Sequence, residues 1–139
     1  MTGIATAAPL LRRAMQADAA VSGASGLLLT LLPGLLSALI GFAEPAYLLA
    51  VGIGLIGYAG WLLYGARRPE VNVWAGRLVI FLNLLWVAAS AVLLLTEPGL
   101  FYGLGQWLVG LVALVVADFA LVQYIGLRRA GRMHATATA

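Results

Sequence analysis

The sequence predicts an all-α protein, an integral membrane bundle of four antiparallel transmembrane helices. Of its 139 residues, 63% are hydrophobic and only 9% are charged, and the mean hydropathy is +1.03. A soluble domain carries about 25% charged residues, and disordered chains are poor in apolar residues, so both classes are excluded. Four apolar runs each approach or exceed the roughly 20 residues that a helix needs to cross a bilayer. We therefore expect a single domain over residues 1–139.

Short breaks separate the four predicted spans. A proline in each break, at Pro45, Pro69 and Pro98, cannot continue a preceding helix. Within the first span Pro33 predicts a kink, and Asn72 is predicted to cap the third span. The spans cover approximately residues 19–41, 46–66, 73–95 and 102–127, and polar tails cover 1–8 and 130–139. A helical lead-in near Pro9, which carries Arg12 and Arg13, is expected to enter the first span.

The basic residues predict how the bundle is oriented. All eight are arginines, and all fall on one side of the four spans: Arg12, Arg13, Arg67, Arg68, Arg77, Arg128, Arg129 and Arg132. The two breaks on the other side contain only the acidic Glu44 and Glu97. Because basic residues concentrate in cytoplasmic loops, both termini are predicted to be cytoplasmic, in a bacterial inner membrane. Nucleic-acid binding is not expected, since the bundle has no polar face to present to phosphates.

Two short motifs recur in the two halves of the chain. Glu44-Pro45 returns as Glu97-Pro98, and the Gly-Ala-Arg-Arg that begins at Gly65 returns as Gly-Leu-Arg-Arg at Gly126. One interpretation is a parallel repeat of two hairpins about an axis along the membrane normal. The alternative is that short loops acquired these residues independently.

A glycine motif in the second span resembles a nucleotide-binding fingerprint. Gly52-x-Gly54-x-x-Gly57 matches the spacing literally, but that motif binds a dinucleotide only at a junction from strand to helix. Here it lies inside an uninterrupted apolar run. We interpret these glycines, with Gly60, as small residues that allow close helix packing.

Asp118 is the most deeply placed ionisable residue in the predicted spans. It precedes Arg128 by ten residues, which corresponds to about 15 Å along a helix. We expect it to face the bundle interior, with Asn83 or Tyr58 as its partner and Ser25 at a similar depth. This predicted polar site has two interpretations, a proton or cation site and a polar fastener between helices.

Asp18 lies closer to the membrane surface on the same reasoning. It is only two helical turns from Arg12 and Arg13, on a face shared with Ser22 and Ser25. We expect an interfacial ion pair between Asp18 and Arg77.

The sequence contains few residues suited to catalysis or cofactor binding. It has no cysteine, and its one histidine, His134, lies outside the predicted spans. No metal site, haem or other cofactor is expected, and no Ser–His pair can form within the membrane. We therefore predict no catalytic residues and no enzymatic activity.

Several motifs resemble a known group of proteins. These are Asp18-Ala19-x-x-Ser22-Gly23, Asn83-x-x-Trp86-x-x-x-Ser90 and Gln123-Tyr124-x-Gly126-Leu127-Arg128-Arg129. In these motifs the chain, from about residue 10 to 129, resembles uncharacterised small bacterial four-span membrane proteins. The resemblance implies no activity, cofactor or substrate. In size and number of spans the chain is also similar to DoxX-like proteins, some of which are oxidase-associated subunits, and no residue roles are transferred from them.

Two functions fit these observations. The first is a non-catalytic structural or accessory subunit of a larger membrane complex or of a homo-oligomer, surrounded by membrane lipid. The alternative is a small oligomeric carrier or channel that uses Asp118 and Asn83 as a proton or cation site.

Overall fold

A computed structural model describes residues 4–6, 9–42 and 44–137, and it confirms the predicted all-α class, with 88% of the structure helical. Most of the predicted tail at 1–8 lies outside the described residues. The helices are α1 (Pro9–Leu31), α2 (Pro33–Ile40), α3 (Pro45–Arg67), α4 (Val73–Thr96) and α5 (Gly103–Ala137), and two short strands are β1 (Ile4–Thr6) and β2 (Glu70–Asn72).

The first predicted span, 19–41, requires correction. The helical lead-in predicted near Pro9 is confirmed, since α1 begins there, but the helix breaks at Leu32, so that α1 and α2 meet at 97°. The cause is local, because the proline ring disfavours helical backbone in the residue before it, and Leu32 has left the helical region with φ −128° and ψ 43°. The kink predicted at Pro33 is confirmed, but it is sharp enough to divide the span into two helices.

The end of α2 lies against the beginning of α5, at the break between the first two predicted spans. Gly41 ends α2 with φ +74°, a left-handed conformation that favours glycine. A Cβ atom at this position would overlap the ring of Tyr102, and the Tyr102 N–H donates to the carbonyl of Ile40 at 2.9 Å. The first break therefore lies against the beginning of α5.

The two middle helices match their predicted bounds closely. Predicted spans at 46–66 and 73–95 are found as α3 and α4, which differ from them by one residue at most at either end. The predicted cap is confirmed, since the Asn72 side chain accepts a hydrogen bond from the Trp74 N–H at 2.8 Å. Because α1 is broken from α2 whereas α4 is continuous, the two halves differ in shape, and the internal repeat stays a prediction.

The last helix is longer than predicted. The fourth span was expected to end near residue 127 and to be followed by a polar tail at 130–139, but α5 continues to Ala137. At 1.5 Å per residue its 35 residues extend for about 52 Å. This exceeds the roughly 30 Å of bilayer hydrocarbon, so α5 is long enough to project beyond a membrane.

The described helices are suited to a membrane. Three of them, namely α3, α4 and the Gly103–Arg132 part of α5, are long and apolar enough to cross it, and the bent pair of α1 and α2 makes a fourth if it counts as one span. Only 17%, 17% and 11% of the apolar windows of α3, α4 and α5 are buried. Most apolar side chains therefore face outward, as lipid allows and water does not.

One end of the bundle collects the arginines, and we call it the arginine end. There β1 pairs antiparallel with β2, and the guanidinium of Arg12 donates to the carbonyls of Ala66 at 2.8 Å and Pro69 at 3.1 Å. The fully buried core lies close by and consists mainly of Leu11, Met15, Leu62, Ala66, Val71, Val79 and Ala130. The bundle is thus packed most tightly toward its arginine end.

Candidate functional site

A buried carboxylate at Asp18 is the centre of the largest polar cluster in the described structure. Its side chain is 1% exposed. One carboxylate oxygen, Oδ1, accepts a hydrogen bond from the Ser22 hydroxyl at 3.1 Å. The other, Oδ2, accepts from Tyr58 Oη at 3.2 Å, Asn83 Nδ2 at 2.8 Å and Gln123 Nε2 at 2.8 Å. We call these five residues the Asp18 cluster.

Hydrogen bonds within the Asp18 cluster also join its neutral members. Asn83 Nδ2 donates to Gln123 Oε1 at 3.0 Å. The single hydroxyl proton of Tyr58 is shared between Asp18 Oδ2 and Asn83 Oδ1, which lies 3.0 Å from Tyr58 Oη. Asn83 and Gln123 are 4% and 0% exposed. The cluster takes side chains from α1, α3, α4 and α5, so it connects all four long helices.

Small residues bring the helices close enough for these contacts. A Cβ atom at Gly26 of α1 would lie 2.8 Å from the Gly52 carbonyl of α3, and one at Gly126 of α5 would lie 2.8 Å from the Leu11 amide nitrogen of α1. The predicted close packing is therefore confirmed for Gly52. It does not extend to the other three glycines of that motif, since added Cβ atoms at Gly54, Gly57 and Gly60 would meet open space.

An apolar layer separates the Asp18 cluster from the arginine end. Met15 lies between Arg12 and Asp18 along α1, Leu62 follows Tyr58 on α3, and Val79 precedes Asn83 on α4; all three are buried. On α1 the carboxylate is six residues from Arg12, or about 9 Å along the helix. The cluster is therefore enclosed rather than open to the arginine end.

The Asp18 cluster contains one acid and no base. Its four donors are a hydroxyl, a phenol and two carboxamides, and no cationic side chain contacts Asp18 among the described residues. The Asp18 cluster therefore holds a buried carboxyl group surrounded by neutral donors. It could take up a proton or a small monovalent cation. Within the described residues no group of three or more metal-ligating side chains occurs.

The structure brings together part of the predicted polar site. Asn83 and Tyr58 do meet, but the carboxylate between them is Asp18 and not Asp118. Asp118 is exposed on α5. Ser25 is half-buried on α1 and gives the Asp18 cluster no hydrogen bond. Ser22 and Gln123 complete the Asp18 cluster, and neither was predicted to belong to the polar site.

The ion pair expected between Asp18 and Arg77 is replaced by other contacts. Asp18 points into the bundle, where neutral donors occupy both of its oxygens. Arg77 is exposed and lies beside a groove between α4 and α5. The groove has a volume of about 350 Å³, and Tyr124 also lines it. The guanidinium of Arg128 lies over the ring of Tyr124, 5.8 Å from the ring centroid.

Asp118 lies on a continuous apolar surface that we call the outer face of α5. Its apolar members are all exposed and are separated by alternating steps of three and four residues, which places them with Asp118 on one side of the helix. They are Leu104, Trp107, Leu111, Leu114, Leu121 and Ile125. Asp118 is the one polar side chain in this series and has no partner within the described chain.

Comparison with known proteins found no matching family model, no similar curated protein and no similar solved structure. The resemblance to small bacterial four-span proteins therefore stays a prediction. The side chain of His134 lies outside the described residues. What is established is a helical protein suited to a membrane, with one enclosed polar cluster and with Asp118 exposed on the apolar outer face of α5.

Proposed function

We propose that this protein is a non-catalytic integral membrane protein that acts as a structural or accessory subunit of a membrane assembly. The assembly is formed with copies of the same chain or with other membrane proteins. One observation carries the proposal, which is the exposed position of Asp118 on the outer face of α5. The proposed location is a bacterial inner membrane with the arginine end in the cytoplasm, as the positive-inside rule predicts.

The argument from Asp118 is one of energy. A carboxylate near the bilayer centre costs about 3 kcal/mol on insertion scales and more in some calculations. That cost falls when a neighbouring helix covers the group and supplies a hydrogen-bond donor. Within the described chain nothing covers Asp118. A second membrane protein or a second copy of this one supplies the missing cover.

The spacing on the outer face of α5 supports the same conclusion. Alternating steps of three and four residues are the pattern with which two helices pack along a shared seam. A single polar residue within such a seam fixes the register of the two helices at some cost in stability. Asp118 occupies that position between Leu114 and Leu121.

The Asp18 cluster supports a structural role as well. Its donors are satisfied by one another and by Asp18, so the cluster holds four helices together without a substrate. The apolar layer beside it opposes free passage of water from the arginine end. An enclosed and satisfied polar network is more typical of a fastener than of a transport pathway.

The test is the mass of the protein purified from native membranes in a mild detergent. We expect a particle larger than one chain. Two differently tagged copies, expressed together, distinguish the two kinds of assembly: they co-purify in a homo-oligomer and remain separate when the partner is another protein. A particle containing a single chain, both in detergent and in nanodiscs of native lipid, would contradict the proposal.

Substitution of Asp118 then links the assembly to its proposed interface. In Asp118→Leu we expect association about fivefold weaker, since one interhelical hydrogen bond contributes about 1 kcal/mol, and unchanged folding of the single chain. The matched control, Glu97→Leu, removes an exposed carboxylate outside the helices. If Asp118 instead faced lipid, the leucine would leave association unchanged and increase stability.

A second candidate is a proton- or cation-coupled carrier, and the buried carboxyl group of Asp18, contacted only by neutral donors among the described residues, favours it. The predicted site paired Asn83 with Asp118, whereas the structure pairs Asn83 with Asp18. Any such function therefore centres on Asp18.

Asp18→Asn distinguishes the two candidates. The new carboxamide keeps an oxygen for the donors around it, so we expect the fold and the assembly to persist. In proteoliposomes under a proton or sodium gradient, a carrier would lose its flux in this variant and keep it in Asp118→Asn. For an accessory subunit we expect no flux from the wild-type protein.

A further inference from the structure

The groove between α4 and α5 combines two cationic side chains with an apolar wall. Its rim contains Arg77 of α4 and Arg128 of α5, and Val73, Ile80 and Leu127 contribute apolar side chains. The volume of about 350 Å³ is within the range of small-molecule sites. The groove is distinct from the Asp18 cluster, with which it shares no residue.

The two arginines lack a compensating acid. Neither contacts a carboxylate in the part of the chain that the structure describes, and Arg128 is engaged only with the ring of Tyr124. Two guanidinium groups at one groove repel each other unless an anion lies between them. Arginine is also the side chain best shaped to donate paired hydrogen bonds to a phosphate.

The depth of the groove selects among possible anions. Arg77 is five residues from the Asn72 cap of α4, and Arg128 is four residues before Arg132, at the end of the apolar part of α5. Measured along its helix, each arginine therefore lies within about 8 Å of the residue at which that helix reaches the membrane boundary. Headgroup phosphates lie at this level. From Val73 the groove continues to Ile80, about 10 Å farther along α4, where acyl chains begin.

We propose that this groove binds the phosphodiester headgroup of an anionic phospholipid, with Arg77 and Arg128 on the phosphate and an acyl chain against Ile80 and Leu127. Basic pockets between transmembrane helices are suited to such headgroups. A free phosphate would use the arginines but not the apolar wall. A phospholipid and a free phosphate both offer a phosphate group to the arginines. Only the phospholipid also has an acyl chain that can pack against the apolar wall.

The experiment measures lipid binding to the full-length protein, delipidated in detergent, by native mass spectrometry. Phosphatidylglycerol is compared with phosphatidylcholine of the same acyl chains. We expect phosphatidylglycerol to bind at least tenfold more tightly. Inorganic phosphate and glycerol phosphate, added at up to a hundredfold excess over the lipid, should not displace it. Equal binding of the two lipids would overturn the proposal, and displacement by inorganic phosphate would reassign the groove to a free anion.

Matched double variants locate the effect. Each arginine removed should weaken phosphatidylglycerol binding about fivefold, so Arg77→Gln/Arg128→Gln should lose about 25-fold and bind the two lipids equally. Arg13→Gln/Arg67→Gln removes the same charge from exposed arginines outside the groove and should keep the preference. An equal loss in both variants would show general attraction to positive charge and overturn the proposal. If the first variant fails to fold, the wild-type comparison of lipids still decides.

Discussion

Asp18 and Asp118 are both lone carboxylates inside apolar helices, yet they lie in opposite surroundings. Asp18 is 1% exposed and accepts hydrogen bonds from four side chains. Asp118 is exposed among leucines on the outer face of α5 and has no partner in the described chain. The side of the helix, rather than depth along it, decides which carboxylate the protein itself satisfies.

The difference between the two aspartates divides their roles. Asp18 stabilises the single chain, because removing it would leave several buried donors without an acceptor. Asp118 makes no hydrogen bond within the described chain, so under the proposed function its contribution depends on a partner. Variants at the two positions should therefore separate folding from assembly.

The largest expected effect is that of Asp18→Leu on stability. Asn83 and Gln123 would lose their main acceptor inside the bundle, and each unsatisfied buried group costs about 1–3 kcal/mol. We expect the free energy of unfolding to fall by about 4 kcal/mol, measured by denaturant titration in mixed micelles. Asp118→Leu is the control and should change it by less than about 0.5 kcal/mol. Equal losses in both variants would show that Asp18 and Asp118 contribute equally to folding, and the contrast between them would be wrong.

The lengths of the apolar runs and the cap and proline signals explain what the sequence could predict. The bounds of α3 and α4, the cap at Asn72 and the kink at Pro33 depend on local signals, and all of them are found. The partner predicted for Asp18 was wrong, because its neutral donors come from α3, α4 and α5 and depend on which side of each helix faces inward. The pairing of β1 with β2 joins residues that are 64 to 68 positions apart in the sequence, and no local pattern indicates it.

The helix faces were harder to predict, because spans that are apolar all round show no inward side by hydropathy. A different signal was present. Small residues mark helix interfaces in membranes. In the second half of α5 the buried positions are Ala120, Gln123, Gly126 and Ala130, opposite the large exposed leucines. That pattern would have placed Gln123 inside the bundle and Asp118 outside it.

A second prediction extends the comparison from aspartates to glycines of α3. At Gly52 an added Cβ would lie 2.9 Å from the Gly26 carbonyl oxygen and from Leu29 Cβ, whereas at Gly57 it would meet open space. We expect Gly52→Ala to lower the free energy of unfolding by about 2 kcal/mol, and Gly57→Ala to change it by less than about 0.5 kcal/mol. Similar losses at both positions would mean that residue type, and not helix side, governs stability.

The smallest expected effect is that of Tyr58→Phe, which removes one hydroxyl from the Asp18 cluster. Tyr58 is half-buried and its hydrogen bonds, at 3.0 and 3.2 Å, are among the longest in the cluster. Asn83 and Gln123 continue to satisfy Asp18, so we expect a loss of about 1 kcal/mol in the free energy of unfolding.

Double variants sharpen this last prediction. Residues of one hydrogen-bond network do not contribute additively, whereas independent sites add to within about 0.5 kcal/mol. Tyr58→Phe combined with Asp18→Asn should therefore deviate from additivity, and Tyr58→Phe combined with Asp118→Leu should not. Coupling between Tyr58 and Asp118 would show that the two carboxylates communicate through the bundle. Their separation into a folding residue and an assembly residue would then be wrong.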